Sequence, residues 1–327
     1  HCKPDHPRQK LAGAFGAANT KHHAALHSTK TAPTHYTRNV ARLTAVSGTT
    51  HILETTMDTM TPVRPAAPVA SWLGGKSKLA KTLIERIDRI PHSTYIEPFV
   101  GMGGVFLRRT WRPRLEVMND RNGEIINLFR ILQRHYPQFM DMLRFQVVSR
   151  RRFEQLRQTD PAHLTDLERA ARFLYLQRLG FGGKVDSVFG VASTSTPRFS
   201  LAKLGPLLDA AHERLDGVVF ENLDWSDLIA RYDHAEALFY LDPPYFGGEN
   251  DYGKGLFDRR DFQRMADQLA GIRGAFVMSI NDRPEIREIF GRFIVDEVRL
   301  TYTVASGEGT KARELIISNH EAPAGLL

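Results

Sequence analysis

Cysteine is almost absent from this chain: the one thiol in 327 residues is Cys2. That excludes disulfides within the chain and any thiolate-rich metal site, and no metal site is expected. Long apolar runs are missing too. None approaches the ~20 residues that a membrane span requires. No N-terminal stretch joins a basic start to an apolar run and a small-residue cleavage site, so a cytoplasmic protein is expected. A phosphate-binding P-loop is excluded, because Gly74-Gly75-Lys76 lacks the first glycine of the GxxxxGK[ST] pattern. Excess charge is scarce once it is located. The formal net charge is +7, but residues 1–68 hold eight Lys/Arg against three Asp/Glu. The other 259 residues carry 36 against 34, so the overall basicity says little about nucleic acid.

Residues 1–68 have no sustained helical or strand period and read as an N-terminal extension with little structure. Seven of the thirteen histidines lie there, but no carboxylate cluster completes a metal site around His22, His23 and His27. The first methionines are Met57 and Met60, and the natural start is expected at one of them. Pro62–Pro68 would then be a short linker, with order beginning at Ser71.

What the sequence does contain is an apolar run, Ala237–Leu241, followed by Asp242-Pro243-Pro244-Tyr245. The run predicts a buried strand. Two prolines stiffen the exit loop and remove two N–H donors. A carboxylate, a Pro carbonyl and an aromatic ring are thus held at the carboxyl end of a strand, where open α/β sheets bind ligands. Asp242 and the Pro243 carbonyl can both accept from an exocyclic amino group, and Tyr245 can stack on a base. An Asp-Pro turn with a packed tyrosine is the plainer alternative.

Upstream, Trp72-Leu73-Gly74-Gly75-Lys76 leads into a helical pattern at Leu79, Leu83, Ile84, Ile87 and Ile90, a setting that suits an anionic group. Strand Thr94-Tyr95-Ile96 runs into the turn Glu97-Pro98-Phe99-Val100-Gly101-Met102-Gly103-Gly104, and Val105-Phe106-Leu107 is read as opening a helix. A second strand, Leu115–Met118, ends at Asn119-Asp120. An acid about 20 residues past a glycine turn takes ribose hydroxyls in nucleotide-binding α/β folds. Asp120 lies 17 residues after Gly103. It could equally cap the helix that follows.

Residues 123–215 read as mainly helical, ending in Gln177–Lys184 and a loop to Phe199. Arg108, Arg109, Arg112 and Arg114 form one basic cluster; Arg144, Arg150, Arg151, Arg152 and Arg157 form another. Each suits a phosphate-tracking face, or simply a solvated helix end. After this block the strands resume at Val218–Phe220, Ala237–Leu241, Ala275–Ser279, within Arg292–Thr303, and at Glu314–Ser318. Strands alternating with helices on both sides of an insertion predict a doubly wound α/β fold.

Five motifs in order make the chain resemble the Dam-like DNA N6-adenine methyltransferases, phage and restriction-associated members included. Trp72–Lys76 is similar to the family's W-x-G-G-K. Glu97–Gly103 resembles E-P-F-x-G-x-G, and Asp120–Ile126 resembles D-x-N-x-x-L-I. Asp242–Tyr245 matches DPPY, while Ser306-Gly307 and Arg313-Glu314-Leu315 are similar to the closing segment. The resemblance implies a Rossmann-like, S-adenosylmethionine-dependent methyltransferase sheet, residues 69–122 and 216–320, with a target-recognition insertion at 123–215. It implies cofactor contacts at Trp72, Lys76, Glu97, Pro98, Phe99, Gly101, Gly103, Asp120, Asp224 and Asp242. Catalysis falls to Asp242, Pro243, Pro244 and Tyr245, with DNA contacts at Arg150, Arg151, Arg152, Arg178 and Lys184. The partners implied are double-stranded DNA and, for restriction-associated members, a cognate restriction endonuclease. One departure is visible: the family's N-R-x-G-(F/Y)-N-G reads Gln177-Arg178-Leu179-Gly180-Phe181-Gly182-Gly183 here. Cytosine C5 methylation lacks its cysteine nucleophile. Cytosine N4, RNA or protein methylation, and a non-catalytic DNA-binding relic, stay open at this level.

Overall fold

The apolar run Ala237–Leu241 is strand β6, buried at all five positions at the centre of a seven-stranded sheet. The computed structural model describes residues 60–184, 187–190, 198–249, 255–303 and 309–321. The expectations for residues 1–59, and for Ser306-Gly307, lie outside the described residues. In chain order the elements are β1 (Thr61–Pro62), α1 (Ala80–Ile87), β2 (Thr94–Glu97), β3 (Trp111–Arg112) and β4 (Leu115–Asn119). Five helices follow: α2 (Gly123–Arg134), α3 (Tyr136–Arg144), α4 (Arg150–Gln158), α5 (Asp166–Leu179) and α6 (Leu201–Arg214). The chain returns through β5 (Val219–Glu221), α7 (Trp225–Tyr232), β6, α8 (Arg259–Leu269), β7 (Ala275–Asn281), α9 (Pro284–Ile289), β8 (Ile294–Thr303) and β9 (Gly309–Ser318).

The sheet order is β5-β4-β2-β6-β7-β9-β8. The first five strands are parallel, and β9 runs antiparallel to both β7 and β8. From β2 the chain builds outward through β4 to β5, then returns to place β6 on the other side of β2. That reversal is a topological switch point, and it leaves a crevice between the carboxyl ends of β2 and β6. Glu97 ends one strand and Asp242 follows the other. Both faces of the sheet are covered, as parallel sheets require. Leu238 and Tyr240 face one core with α1 and helices α2–α6; Ala237, Phe239 and Leu241 face the other, with Trp225, Phe262 and Ile286. The period of two within β6 splits its side chains between these cores.

Three expectations are corrected. Pro62–Pro68 is not a linker, and order begins before Ser71: β1 pairs antiparallel with β3, Ala66 N–H donates to Leu107 O at 2.7 Å, and Ala66, Val69 and Ala70 are buried. The helix expected from Val105 is one 3-10 turn, Phe106–Arg108. Backbone turns extended at Arg109 and Pro113 follows, so the segment supplies the edge that β1 pairs with. Third, Arg109 and Arg112 of the first basic cluster do not form a phosphate-tracking face, although Arg114 is exposed. Arg109 is wholly buried, stacked 3.9 Å over the Tyr95 ring. Arg112 and Arg214 both bind Glu116, at 2.9 and 2.6 Å. Arg109, Arg112 and Arg214 are thus gathered around the one buried carboxylate of Glu116.

Candidate active site

Asp242 leaves β6 where its neighbours are already ion-paired. Lys76 Nζ lies 2.8 Å from Asp242 Oδ1 and donates to the Tyr245 hydroxyl at 2.7 Å. Tyr245 in turn donates to Glu314 Oε1 at 2.8 Å. Ser279 Oγ reaches Asp242 Oδ1 at 3.4 Å, and the Tyr240 hydroxyl meets Ser279 at 2.8 Å. Asn281 holds the loop itself, accepting from Phe246 N–H and donating to Phe246 O. The stiff Pro243-Pro244 pair therefore leads into a segment fixed at both ends. Burial pushes the Asp242 carboxyl up to about 6; Lys76 pulls it down, and Glu314 pushes it further up.

Beside this cluster lies a cavity of about 390 Å3 lined by Trp72, Lys76, Glu97, Phe99, Gly101, Asp120, Asp242 and Pro244, among others. The glycine turn after β2 forms one wall. Gly101 has φ +49°, and a Cβ there would stand 2.8 Å from the Trp72 indole, so the indole rests on bare backbone. Gly101 N–H donates to Asp120 Oδ2 at 3.0 Å, and Asn122 N–H to Asp120 Oδ1 at 2.9 Å. The cap of α2 is Asn122, not Asp120. Asp120 is thereby held in the turn that joins β4 to α2. Burial pushes it up to about 6 against those two donors. Glu97 is deeper still. Burial carries it to about 8, although the Tyr95 hydroxyl donates to it at 2.7 Å.

Other expected residues fall elsewhere. Pro98 lies behind the wall, its carbonyl accepting from Asn119 Nδ2 at 2.9 Å. Gly103 turns with φ +70°, its N–H donating to Val100 O. Asp224 is not among the lining residues; it caps α7 by accepting from Ser226 N–H at 3.0 Å. Arg178 does line the cavity, but its guanidinium is bound to Val69 O at 3.1 Å and Arg198 O at 2.9 Å. Arg150–Arg152 open α4 behind the cap Ser149, with Arg150 and Arg151 exposed and Arg150 4.8 Å over the Phe189 ring. Phe189 belongs to a hairpin whose other arm carries Phe181, an exposed aromatic. Lys184 follows the hairpin's Gly182-Gly183 and is exposed.

The hairpin is stitched to the cavity wall. Gln177 Nε2 donates to Ser71 O at 2.8 Å and to Gly183 O at 2.7 Å, while Leu73 N–H donates to Gly183 O at 3.1 Å. A second cavity, about 780 Å3, opens between Gly182, Trp72, Tyr245, Asn281 and Arg313. Among the described residues no cluster of His, Cys, Asp and Glu could hold a metal ion, and no helix is long and apolar enough to cross a membrane. Two residues of the site were not assigned to it from sequence, where Arg108 was read only in a basic cluster and Glu314 only in the closing segment. Arg108 lines the cavity, and Glu314 joins the Asp242 cluster. The available signal for Glu314 was its place in the closing segment Arg313-Glu314-Leu315, just before the apolar run Leu315-Ile316-Ile317.

Comparison with known proteins agrees with this geometry. A type II methyltransferase of Paramecium bursaria Chlorella virus NC1A is 24% identical over 264 residues, covering 77% of this chain and 99% of the relative. A type II methyltransferase of Lactococcus lactis subsp. cremoris is 26% identical over 275 residues, covering 77% and 95%. The DNA adenine methylase of Salmonella typhi is 24% identical over 260 residues, covering 74% and 90%. The family model of D12 class N6 adenine-specific DNA methyltransferases matches residues 72–304, from the tryptophan that walls the cavity to the end of β8. With the strand order, the Asp242 loop and most of its length in register, the chain belongs to the D12 class of N6 adenine-specific DNA methyltransferases.

Proposed function

We propose that Asp242 and the Pro243 carbonyl receive the amino group of a flipped adenine, that Tyr245 stacks on its ring, and that the 390 Å3 cavity holds the methyl donor. The observation that carries this is the position of Asp242: it directly follows the central strand, is held by Lys76 at 2.8 Å, and lines that cavity. The donor in this class is S-adenosylmethionine, which when bound supplies an electrophilic methyl group. The cavity's chemistry suits it. Asp120 is fixed by two backbone donors, as an acceptor of ribose hydroxyls requires, and the Trp72 indole and Phe99 give it apolar walls.

The target amino group is stacked inside duplex DNA, so the base must leave the helix at a cost of a few kcal/mol. Its N6 lone pair is delocalised into the ring and is a poor nucleophile. Two acceptors fixed by the chain, one carboxylate and one carbonyl, favour a more tetrahedral nitrogen as the new bond forms. Lys76 and Ser279 both meet Oδ1 of Asp242, and Oδ2 takes the amino hydrogen in this assignment. Above pH ~6 the carboxylate is ionised and acts only as an acceptor. Holding both groups in one geometry supplies much of the rate.

Sequence choice is assigned to residues 123–215, because a pocket for one flipped base cannot read its neighbours. Arg150, Arg151 and Lys184 stand exposed beside the hairpin that carries Phe181. Incubation with duplex DNA and donor, followed by nucleoside mass spectrometry, should give N6-methyladenine. N4-methylcytosine instead would reassign the base. Exchanging residues 123–215 with those of a relative of different target should carry the methylated sequence along; a target that stays with the α/β core refutes the assignment of the reader.

A further inference from the structure

Glu314 lies on β9, beyond the end of the family match at residue 304. It is 2% exposed, paired across the sheet with Asn281 of β7 on one side and Val298 of β8 on the other. A carboxylate in that position is costly unless its charge is answered. Its Oε1 accepts from the Tyr245 hydroxyl at 2.8 Å and its Oε2 lies 3.7 Å from Lys76 Nζ. We infer that Glu314 is a positioning residue for methyl transfer: through the Tyr245 hydroxyl and the Lys76 ammonium it sets how Asp242 meets the substrate amino group.

The direction of the hydrogen bonds carries the inference. A phenol has one proton, and a carboxylate can only accept. With the Tyr245 proton committed to Glu314, the hydroxyl lone pairs are left for Lys76, which donates at 2.7 Å. The same ammonium donates to Asp242 Oδ1 at 2.8 Å. Lys76 is thus shared by two carboxylates and a phenol, and it also sits 4.5 Å from the centre of the Tyr245 ring. Remove the charge at Glu314, and the Tyr245 proton keeps a carbonyl oxygen to donate to, but the Lys76 ammonium loses a negative charge 3.7 Å away. The ammonium is then drawn more strongly to Asp242, which becomes a weaker acceptor for the amino group. The charged and titratable groups around Asp242 are Lys76 before α1, Glu97 at the end of β2, Tyr240 on β6 and Glu314 on β9. Glu314 pushes the Asp242 carboxyl up, so its neutralisation lets that carboxyl fall.

The inference rests on the assignment of Asp242 as acceptor of the amino group. Its test is steady-state methylation of duplex DNA by the full chain across pH 5–9, with donor affinity measured by calorimetry. Glu314→Gln keeps the size of the side chain and removes the charge. It should lower kcat roughly tenfold to hundredfold, the scale of one charge-assisted hydrogen bond. Donor affinity and KM for DNA should change by less than about twofold, and the acid limb of kcat should move to lower pH. Tyr245→Phe keeps the ring and removes both the donor to Glu314 and an acceptor of Lys76, so it should lower kcat as well. Because the two act through one chain, the double variant should lose no more than the worse single variant. Wild-type kcat in Tyr245→Phe overturns the inference even if Glu314→Gln fails to fold. An additive double loss, or an unmoved acid limb in a folded Glu314→Gln, overturns it too. If Asp242→Asn retains activity, the assignment of Asp242 fails first; if Asp242→Asn is inactive while Glu314→Gln is not, only the present inference falls.

Discussion

Glu97 should make this protein lose stability as the solution turns alkaline, and Glu97→Gln should abolish that loss. Burial raises the carboxyl from its ordinary 4.5 to about 8 in the folded chain. The folded state therefore binds the proton more tightly than the unfolded state does. Between the two values the native state carries more protons, so stability falls as pH rises from about 4.5 and levels off beyond about 8. At about 1.4 kcal/mol per pH unit, the full window is worth on the order of 5 kcal/mol, and roughly half or more of it is gone by neutral pH. A glutamine has no charge to desolvate, and its carbonyl still accepts from the Tyr95 hydroxyl, now 2.7 Å from Glu97 Oε1. Asp242 and Asp120, both near 6, contribute in the same sense, but at lower pH. Urea unfolding followed by circular dichroism between pH 6.5 and 8.5, compared between wild type and Glu97→Gln, singles out Glu97 from His92, whose burial acts in the opposite sense. Wild type should lose about 1–2 kcal/mol across that span, and Glu97→Gln should lose far less and be more stable at pH 8.5. Parallel pH curves for the two proteins would refute the placement of a neutral carboxyl at the end of β2.

Asp242→Ala should abolish methyl transfer with circular dichroism unchanged; a folded variant retaining most of its activity would remove Asp242 from the chemistry. Asp120→Ala should weaken donor binding by about 1.5–3 kcal/mol in calorimetry while DNA affinity changes little, because two backbone donors fix this carboxylate in the cavity wall. Lys76→Met should cost kcat more than donor affinity, because its ammonium binds Asp242, Tyr245 and Glu314; a pure affinity defect would return it to the donor's carboxylate. Gly101→Ala should lower the melting temperature and the donor affinity together, since its Cβ would meet the Trp72 indole at 2.8 Å at a positive φ; wild-type values for both would contradict that packing.

The α/β sheet was legible because its strands are short apolar runs with turn residues at their carboxyl ends, and Ala237–Leu241 is the clearest of them. Asp242 and Asp120 could be placed for the same reason: each follows a strand directly. What stayed hidden depends on partners far apart in the chain. Lys76 looked like an anion-binding residue before a helix, yet its ammonium is claimed by residues 166 to 238 positions later. Arg109 looked like surface charge, because nothing local reveals the Tyr95 ring beneath it or the His92 and Asp88 beside it. Asp224 also lies in a loop leaving a strand, three residues after β5, but it is spent on the N-terminus of α7. Residues 61–70 have no period because one short antiparallel pairing and three small buried side chains hold them.

With DNA on the hairpin and donor in the cavity, as proposed, the three hydrogen bonds among Gln177, Gly183, Ser71 and Leu73 tie two binding events to one entropy. The hairpin carrying Phe181 and the loop carrying Trp72 cannot loosen separately, since Gly183 packs its backbone on Ser71, Trp72 and Leu73 with no room for a side chain. A ligand that stills either segment pays part of the ordering cost of the other. Each ligand should then tighten the other by the same factor, whichever arrives first.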